Sequence, residues 1–498
     1  MAIIYNPNKK IFTLHTAHTT YQMQVDPLGY LLHLYYGEKT NSSMDYVLTY
    51  ADRGFSGNPY AAGMDRTYSL DALPQEYPSL GTGDYRNIAL NIKNEKGVES
   101  ADLLFKSYEI QSGKYQLQGL PAVWADENEA QTLEIVLADE NAQVEVHLLY
   151  GVLEETDVIT RSVRIKNMGT GQITIEKAAA ACLDFVRGDF DVLRFYGKHA
   201  MERNLERTPL GHGTIAFGSR RGTSSHQYNP AVILAEKGTT ETAGSCYGML
   251  FVYSGNFSCE AEKDQFNQTR LLLGLNEELF SYPLAAGETF TVPEVILSYS
   301  ADGLSALSQQ YHNCIRNHVC RSKYVHMQRP VLINSWEAAY FDINERKLLS
   351  LAKAGKEAGI ELLYHNHNCE FLHVEPQKTA YDLLLSETDP EYVNFELDSY
   401  WPTEAGVDAL ALMKKLDTRM KLYHINDRGT RLLKPAMTPI LKSDSMELGC
   451  GNMNLDALIA QAKNVNVDAV ILESHKNWVD NSPLRSLEVS AQFLNARI

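Results

Sequence analysis

Two hydrophobic periods divide the chain. From Met1 to about Ser300 apolar residues recur at every second position. Leu133, Ile135 and Leu137 alternate with Thr132, Glu134 and Val136, and Val144, Val146, Leu148 and Tyr150 alternate with Glu145, His147 and Leu149. Successive side chains of a strand point to opposite faces, so this period predicts strands resting one face on a core. Gly, Asn and Asp turns such as Asn167-Met-Gly-Thr-Gly171 separate them. The length exceeds one simple sandwich and predicts a large, many-stranded β-sandwich over residues 1–300. The period then lengthens. Leu304, Leu307, Tyr311, Cys314 and Ile315 fall on one helical face, which predicts a helical linker over 301–329.

From Pro330 strands and helices alternate. Val331–Ser335, Ile360–Tyr364, Val393–Leu397, Lys421–Ile425 and Ala469–Glu473 read as strands, with a further candidate at Met446–Leu448. Helices are predicted over Arg346–Glu357, stopped by Gly359, and around Tyr381–Ser386, Val407–Lys415 and Leu455–Lys463. This alternation implies parallel strands with helical crossovers. A closed eight-stranded barrel takes about 250 residues, and residues 330–498 fall well short of that. The expected fold is therefore multi-domain: a large β-supersandwich followed by an incomplete parallel α/β, TIM-barrel-like domain over 330–498.

Composition narrows the function. The chain has 498 residues, 44% of them hydrophobic, and a formal net charge of -17. That charge repels polyanions, so nucleic acid is excluded as a partner, whereas a neutral sugar is indifferent to it. The first ten residues lack the apolar core of a secretory signal, and no apolar run is long enough to cross a bilayer. Seven scattered cysteines, none in a C-x-x-C pair, read as buried reduced thiols of a soluble cytoplasmic protein.

Polar residues cluster where the predicted parallel strands end, the edge on which α/β barrels carry their sites. The runs are His365-Asn-His-Asn-Cys-Glu370, Glu396-Leu-Asp398, His424-Ile-Asn-Asp427 and Glu473-Ser-His475. A His, an Asp, a His and a Glu on four successive strand ends would converge on one point. Imidazole and carboxylate donors in that mixture suit Mn, Co, Zn or Mg.

Two resemblances follow. The motifs Tyr364–Phe371, Phe395-Glu-Leu-Asp-Ser-Tyr-Trp401, Tyr423-His-Ile-Asn-Asp427, Glu447-Leu-Gly-Cys-Gly451 and Ile471-Leu-Glu473 make residues 359–498 similar to the C-terminal half of xylose-isomerase-like sugar isomerase/epimerase barrels. That resemblance implies a divalent metal on Asp398, His424 and Glu473. It leaves the fourth ligand to His365 or Glu370, with His365 preferred because it directly follows the apolar strand. His367 would contact substrate, and Glu473 or Glu370 would move a proton. The sequence departs from the pattern where His365 replaces a Glu common in epimerases, which points toward lyase-like branches.

The front resembles another family. Ala51-Asp-Arg-Gly-Phe-Ser56, Met64-Asp-Arg-Thr-Tyr-Ser69, Gln75-Glu-Tyr-Pro78, Gly119-Leu-Pro-Ala122, Ser219–Gln227, Phe251–Asn256 and Ile333–Asp342 are similar to glycoside hydrolase family 36 α-galactosidases up to about residue 363. The resemblance implies a β-supersandwich, a Trp336 lining the sugar pocket, and Asp52 and Arg66 on a loop that reaches a neighbouring subunit of a homo-oligomer. Beyond Gly359-Ile-Glu-Leu362 that family's aspartates do not follow, and His367 and Asn368 stand where its paired aspartates are expected. The joint expectation is a chimeric carbohydrate-handling protein without α-galactosidase turnover. It would be either a non-catalytic sugar-binding, oligomerising protein or a metal-dependent sugar isomerase, epimerase or lyase. The alternative is an α-galactosidase.

Overall fold

Period-two patterning produces sheet throughout the front of the chain. The computed structural model describes residues 2–54, 57–329, 331–432 and 441–498. It divides into two compact units, Met1–Gln328 and Arg329–Ile498. Phe55 and Ser56 of the Ala51–Ser56 motif, and Pro330 at the start of the expected second domain, lie outside the described residues.

The first unit is built on antiparallel sheets of four, six and nine strands. The nine-stranded sheet runs from Met201–Pro209 at one edge to Leu104–Ser112 at the other. Its central strands, Val158–Asn167, Val144–Leu153 and Ala130–Asp139, pair in continuous register. Leu133, Ile135, Val146, Leu148 and Tyr150 from this sheet share one core with Ile175, Leu183, Phe257 and Leu271 of the six-stranded sheet. The opposite face is covered too. Leu149 is fully buried and Glu145 nearly so, although the alternation alone makes that face solvent-facing.

Deep charges lie between the layers. Arg161 is completely buried, with its guanidinium 4.2 Å over the Tyr150 ring and paired with Glu76. A second network joins Asp84, Asp184, Arg86 and Arg270, every side chain at most 3% exposed. A buried charge is tolerated only when paired and fully hydrogen-bonded. Arg86 Nη2 donates to the Leu70 and Leu73 carbonyls at 2.8 Å each, and Arg270 Nη1 to Asn87 O at 2.9 Å. Gly274 lies where strand Thr269–Leu275 passes a bulge between Ala179 and Ala181; a Cβ there would sit 2.5 Å from Ala179 Cα. The helix Gly303–Cys314 packs on the nine-stranded sheet, with Leu307 and Cys314 fully buried, and belongs to the first unit.

The second unit holds a four-stranded parallel sheet: β1 Leu362–His365, β2 Val393–Asp398, β3 Met420–Ile425 and β4 Ala469–Leu472, in that spatial order. Among the described residues this unit has five helices of eight residues or more, α1 Glu345–Glu357, α2 Ala380–Glu387, α3 Ala409–Leu416, α4 Leu455–Asn464 and α5 Pro483–Asn495. Each starts on a side-chain cap that occupies an otherwise unpaired N–H: Asn344, Thr379, Asp408, Asn454 and Ser482. Gly359 takes φ +72 just past α1, the left-handed turn that ends a helix. The core is Phe395, Leu397, Tyr423 and Ile425 against Met413, Leu416, Leu458 and Ile459.

Two expected strands are corrected. Val331–Ser335 is not a strand; Val331, Leu332 and Ile333 are 71%, 85% and 62% exposed. An apolar run becomes a strand only against a ladder partner, and among the described residues it has none. The segment near Met446 is the short strand Asp444–Met446, antiparallel to Asp427–Gly429 and outside the parallel sheet. No described helix is long and apolar enough to cross a membrane. All seven cysteines are free, but Cys369 and Cys450 are exposed rather than buried.

Candidate functional site

Parallel register gathers the polar strand ends. His365 lies beside Glu396, and Asp398 beside His424, in the pairing of β1 with β2 and of β2 with β3. Glu473 follows the last residue of β4. One donor atom from each of His365, Asp398, His424 and Glu473 lies within 4.8 Å of the other three. Asn366 locks two of these ends together: its Nδ2 donates to Asp398 O at 3.1 Å and its Oδ1 accepts from Asp398 N at 3.1 Å.

His424 is the centre of the cluster. Its Nδ1 lies 2.7 Å from Glu473 Oε2 and its Nε2 3.0 Å from Glu396 Oε1. Only the protonated imidazole donates at both nitrogens. Burial opposes that charge, but the two carboxylates outweigh it and push the group up to about 9. Glu473 is held at about 2, first by its hydrogen bond from His424. Its other oxygen is 2.9 Å from His475 Nε2. Asp398, 2% exposed, is raised by burial to about 7. Burial and the charge on His424 lower His365. Its buried Nε2 stands 3.8 Å from Glu473 and 3.9 Å from Asp398 and has no hydrogen-bond partner. The cluster therefore sets two lowered carboxylates, Glu473 and Glu396, and one raised carboxyl, Asp398, around a cationic ring.

The other sequence-designated residues fall elsewhere. Glu370 is buried in the turn Cys369–Phe371 and is outside the cluster. Its Oε1 accepts from Tyr364 Oη at 2.9 Å and its Oε2 from His367 N at 3.0 Å. Each of its oxygens thus accepts from its own strand or turn, and it is not among the four residues whose ligand atoms converge. His367 is exposed beside the cluster, its ring 5.0 Å from Trp401 and 5.2 Å from His365. Trp336 is 46% exposed at the start of the short helix Trp336–Ala339, edge-on to Tyr340 and Phe341. Asp52 and Arg66 form an exposed ion pair at 3.3 Å in the first unit. Glu396 was not singled out by the strand-end argument. It stands two residues before Asp398, so strand alternation sends both to one face, and that spacing was the available signal.

The chain thus carries a unit of large antiparallel sheets and a unit whose parallel strand ends gather imidazoles and carboxylates. Comparison with known proteins makes this specific. The Glycosyl hydrolase family 36 N-terminal domain matches residues 29–285 and the Melibiase domain residues 289–368. The chain belongs to glycoside hydrolase family 36. It is 93% identical over 363 residues to the bifunctional alpha-galactosidase/sucrose kinase AgaSK of Mediterraneibacter gnavus, a match covering 73% of this chain and 39% of that protein. The solved galactosidase domain of AgaSK superimposes with a TM-score of 0.74 at 68% identity, across 99% of this chain and 70% of that one. A Geobacillus stearothermophilus GH36 α-galactosidase solved with raffinose superimposes with a TM-score of 0.70 at 32% identity, across 97% and 69%. The chain spans about half the length of the curated relatives it matches.

These findings correct the functional expectation. A non-catalytic sugar binder or a metal-dependent isomerase, epimerase or lyase is overturned by the identity to α-galactosidases. The isomerase-like assignment of residues 359–498 is likewise unsupported, since the melibiase match continues past residue 359 and the galactosidase fold aligns over nearly the whole chain.

Proposed function

We propose that this chain is a hydrolase of the α-galactosidase class, acting on α-galactosyl oligosaccharides. The 93% identity over 363 residues to a bifunctional alpha-galactosidase/sucrose kinase carries the reading, and the raffinose complex of a relative supports the substrate class. Retaining hydrolysis needs two carboxyl groups about 5–5.5 Å apart, one ionised and one protonated. Asp398 and Glu473 fit that demand, with oxygens within 4.8 Å. Glu473 is the nucleophile, held ionised and oriented by His424, and Asp398 donates the proton to the leaving oxygen. His367 and Trp336 offer rings to the sugar, and Asp52 and Arg66 offer an exposed charged pair to the site of a neighbouring copy. The parallel sheet is read as part of a (β/α) barrel, in a cytoplasmic homo-oligomer whose free thiols suit a reducing compartment.

The cluster also fits a divalent cation. His365 Nε2 is an orphaned buried donor site that an ion would satisfy, and two imidazoles with two carboxylates suit Mn, Co, Zn or Mg. His365, Asp398, His424 and Glu473 would hold it, and a bound ion would supply Lewis-acid charge at the strand ends. Binding requires His424 and Asp398 to release protons and occupies the oxygens the hydrolytic pair uses, so a cation competes with hydrolysis. Release of nitrophenol from a nitrophenyl α-galactoside by the purified chain, lost in Glu473→Gln, is the test. A rate no higher than that of the variant overturns the reading.

A further inference from the structure

Glu396 lies outside the four-residue convergence, yet its place in β2 is set as strictly as theirs. Strand alternation sends Phe395 and Leu397 into the core and turns Glu396 and Asp398 together to the opposite face. The parallel register puts Glu396 beside His365 of β1. Toward β3 it stands two residues before Asp398, the register partner of His424. Among the described residues its one hydrogen bond is to His424 Nε2, at 3.0 Å, and its side chain is only 22% exposed. The carboxylate thus serves the neighbouring strand's imidazole rather than its own backbone.

The two nitrogens of His424 face different company. Nδ1 lies 2.7 Å from Glu473 Oε2. The same oxygen is 3.8 Å from the unpartnered Nε2 of His365, which stands 3.9 Å from Asp398 Oδ2. Nδ1 therefore borders the gap between these three groups, and Nε2 points away from it to Glu396. An imidazole that gives one nitrogen to a cation carries its proton on the other. A carboxylate on that second nitrogen fixes the tautomer, holds the ring plane and makes the first nitrogen a more basic ligand.

We propose that Glu396 is the positioning residue of a divalent-cation site, holding His424 by its Nε2–H so that Nδ1 joins His365, Asp398 and Glu473 as a ligand. A cation on Nε2 would instead sit against Glu396, which is outside the convergence. The assignment rests on the cation reading above and is independent of hydrolysis.

The test titrates the chelator-stripped full chain with zinc alone, reads binding by calorimetry, and follows His424 by long-range nitrogen–proton NMR of histidine-labelled protein. The His424 signals are assigned by their loss in His424→Gln. In zinc-loaded wild type the ion is expected on Nδ1 and the proton on Nε2, shifted downfield by the carboxylate. Glu396→Gln keeps an acceptor but removes the charge, so the dissociation constant should rise about tenfold with the same nitrogen bound. Glu396→Leu removes both, and the constant should rise about a hundredfold, with the ring no longer held to one tautomer. Glu404→Gln, which removes an exposed carboxylate paired with Arg428 in the same unit, should change neither. Zinc on Nε2 in wild type, or a constant unchanged in both Glu396 variants, overturns the role of Glu396 while the cation reading stands. A rise as large in Glu404→Gln overturns it too, because the effect is then one of net charge. No zinc bound by wild type overturns both readings, and none of these results bears on nitrophenol release. If circular dichroism shows a variant misfolded, the ring nitrogen that zinc occupies in wild type decides.

Discussion

Asp84→Asn tests whether the buried network of the first unit is held together by charge. Asp84 is fully buried, and its Oδ1 accepts from Arg86 Nε at 3.0 Å. Its Oδ2 accepts from Arg270 Nη2 at 2.6 Å, Arg86 Nη2 at 3.0 Å and Gln75 Nε2 at 2.5 Å. Burial alone raises a carboxyl, but Arg270 and Arg86 outweigh it and hold Asp84 at about 2. The substitution keeps the shape and leaves two buried guanidiniums sharing Asp184. Breaking a buried pair this way costs about 3–5 kcal/mol, a large share of a domain's stability of about 5–15 kcal/mol. With an m-value of about 3 kcal/mol per M, the urea midpoint of the sheet-rich first unit falls by about 1 M, read by far-UV circular dichroism at pH 7. The pH dependence follows from linkage. The folded value of about 2 lies below the ordinary aspartate value of about 3.9, so the carboxylate's contribution is complete above pH 3.9. It is lost as pH falls toward 2, and amounts to about 2.6 kcal/mol. The gap between wild type and variant therefore narrows by about that amount between pH 5 and pH 1, most of it by pH 2. A midpoint change below about 0.3 M at pH 7, or a gap that stays constant with pH, would refute the reasoning.

Three further outcomes are expected. Gly274→Ala drives a Cβ to 2.5 Å from the Ala179 backbone, which a strand cannot relieve; a loss of about 3 kcal/mol in urea unfolding is predicted, and a change under about 0.5 kcal/mol contradicts it. Glu447, 1% exposed and held at about 2, accepts from Ser486 Oγ at 2.5 Å, Val479 N at 2.6 Å and Arg431 Nη2 at 2.5 Å; burial opposes its ionisation and Arg431 leads the groups that outweigh it. Glu447→Gln should loosen residues 477–486 by about 2–3 kcal/mol, seen as faster amide exchange there while the first unit keeps its protection. Glu473→Gln removes the charge that orients His424, so kcat on a nitrophenyl α-galactoside should fall at least about 10³-fold with KM little changed; activity within tenfold of wild type would assign the nucleophile elsewhere.

What the sequence determined by itself is local and periodic. Alternation at Leu133–Leu137 and Val144–Tyr150 sets which side chains share a face, because a strand has no other way to place them. The apolar runs ending in His365, Asp398, His424 and Glu473 place those residues on one end of a parallel sheet, since parallel strands all finish on the same side. The helices near Arg346, Tyr381, Val407 and Leu455 were legible from the pattern, whereas Pro483–Asn495 was not. The tertiary structure decided the rest. Burial of Leu149 and Glu145 depends on a layer covering the second face, which strand pattern cannot reveal. Val331–Ile333 has the composition of a strand but no ladder partner among the described residues, and its side chains stay exposed. His365 was preferred to Glu370 because it directly follows the apolar strand; the fold of the Cys369–Phe371 turn directs Glu370 to Tyr364 and leaves His365 facing the cluster. Glu396 joined only through the register that sets β2 beside His424. Hydrogen-bond register and the neighbour across the sheet are long-range properties, and they fix which of several suitable residues meet.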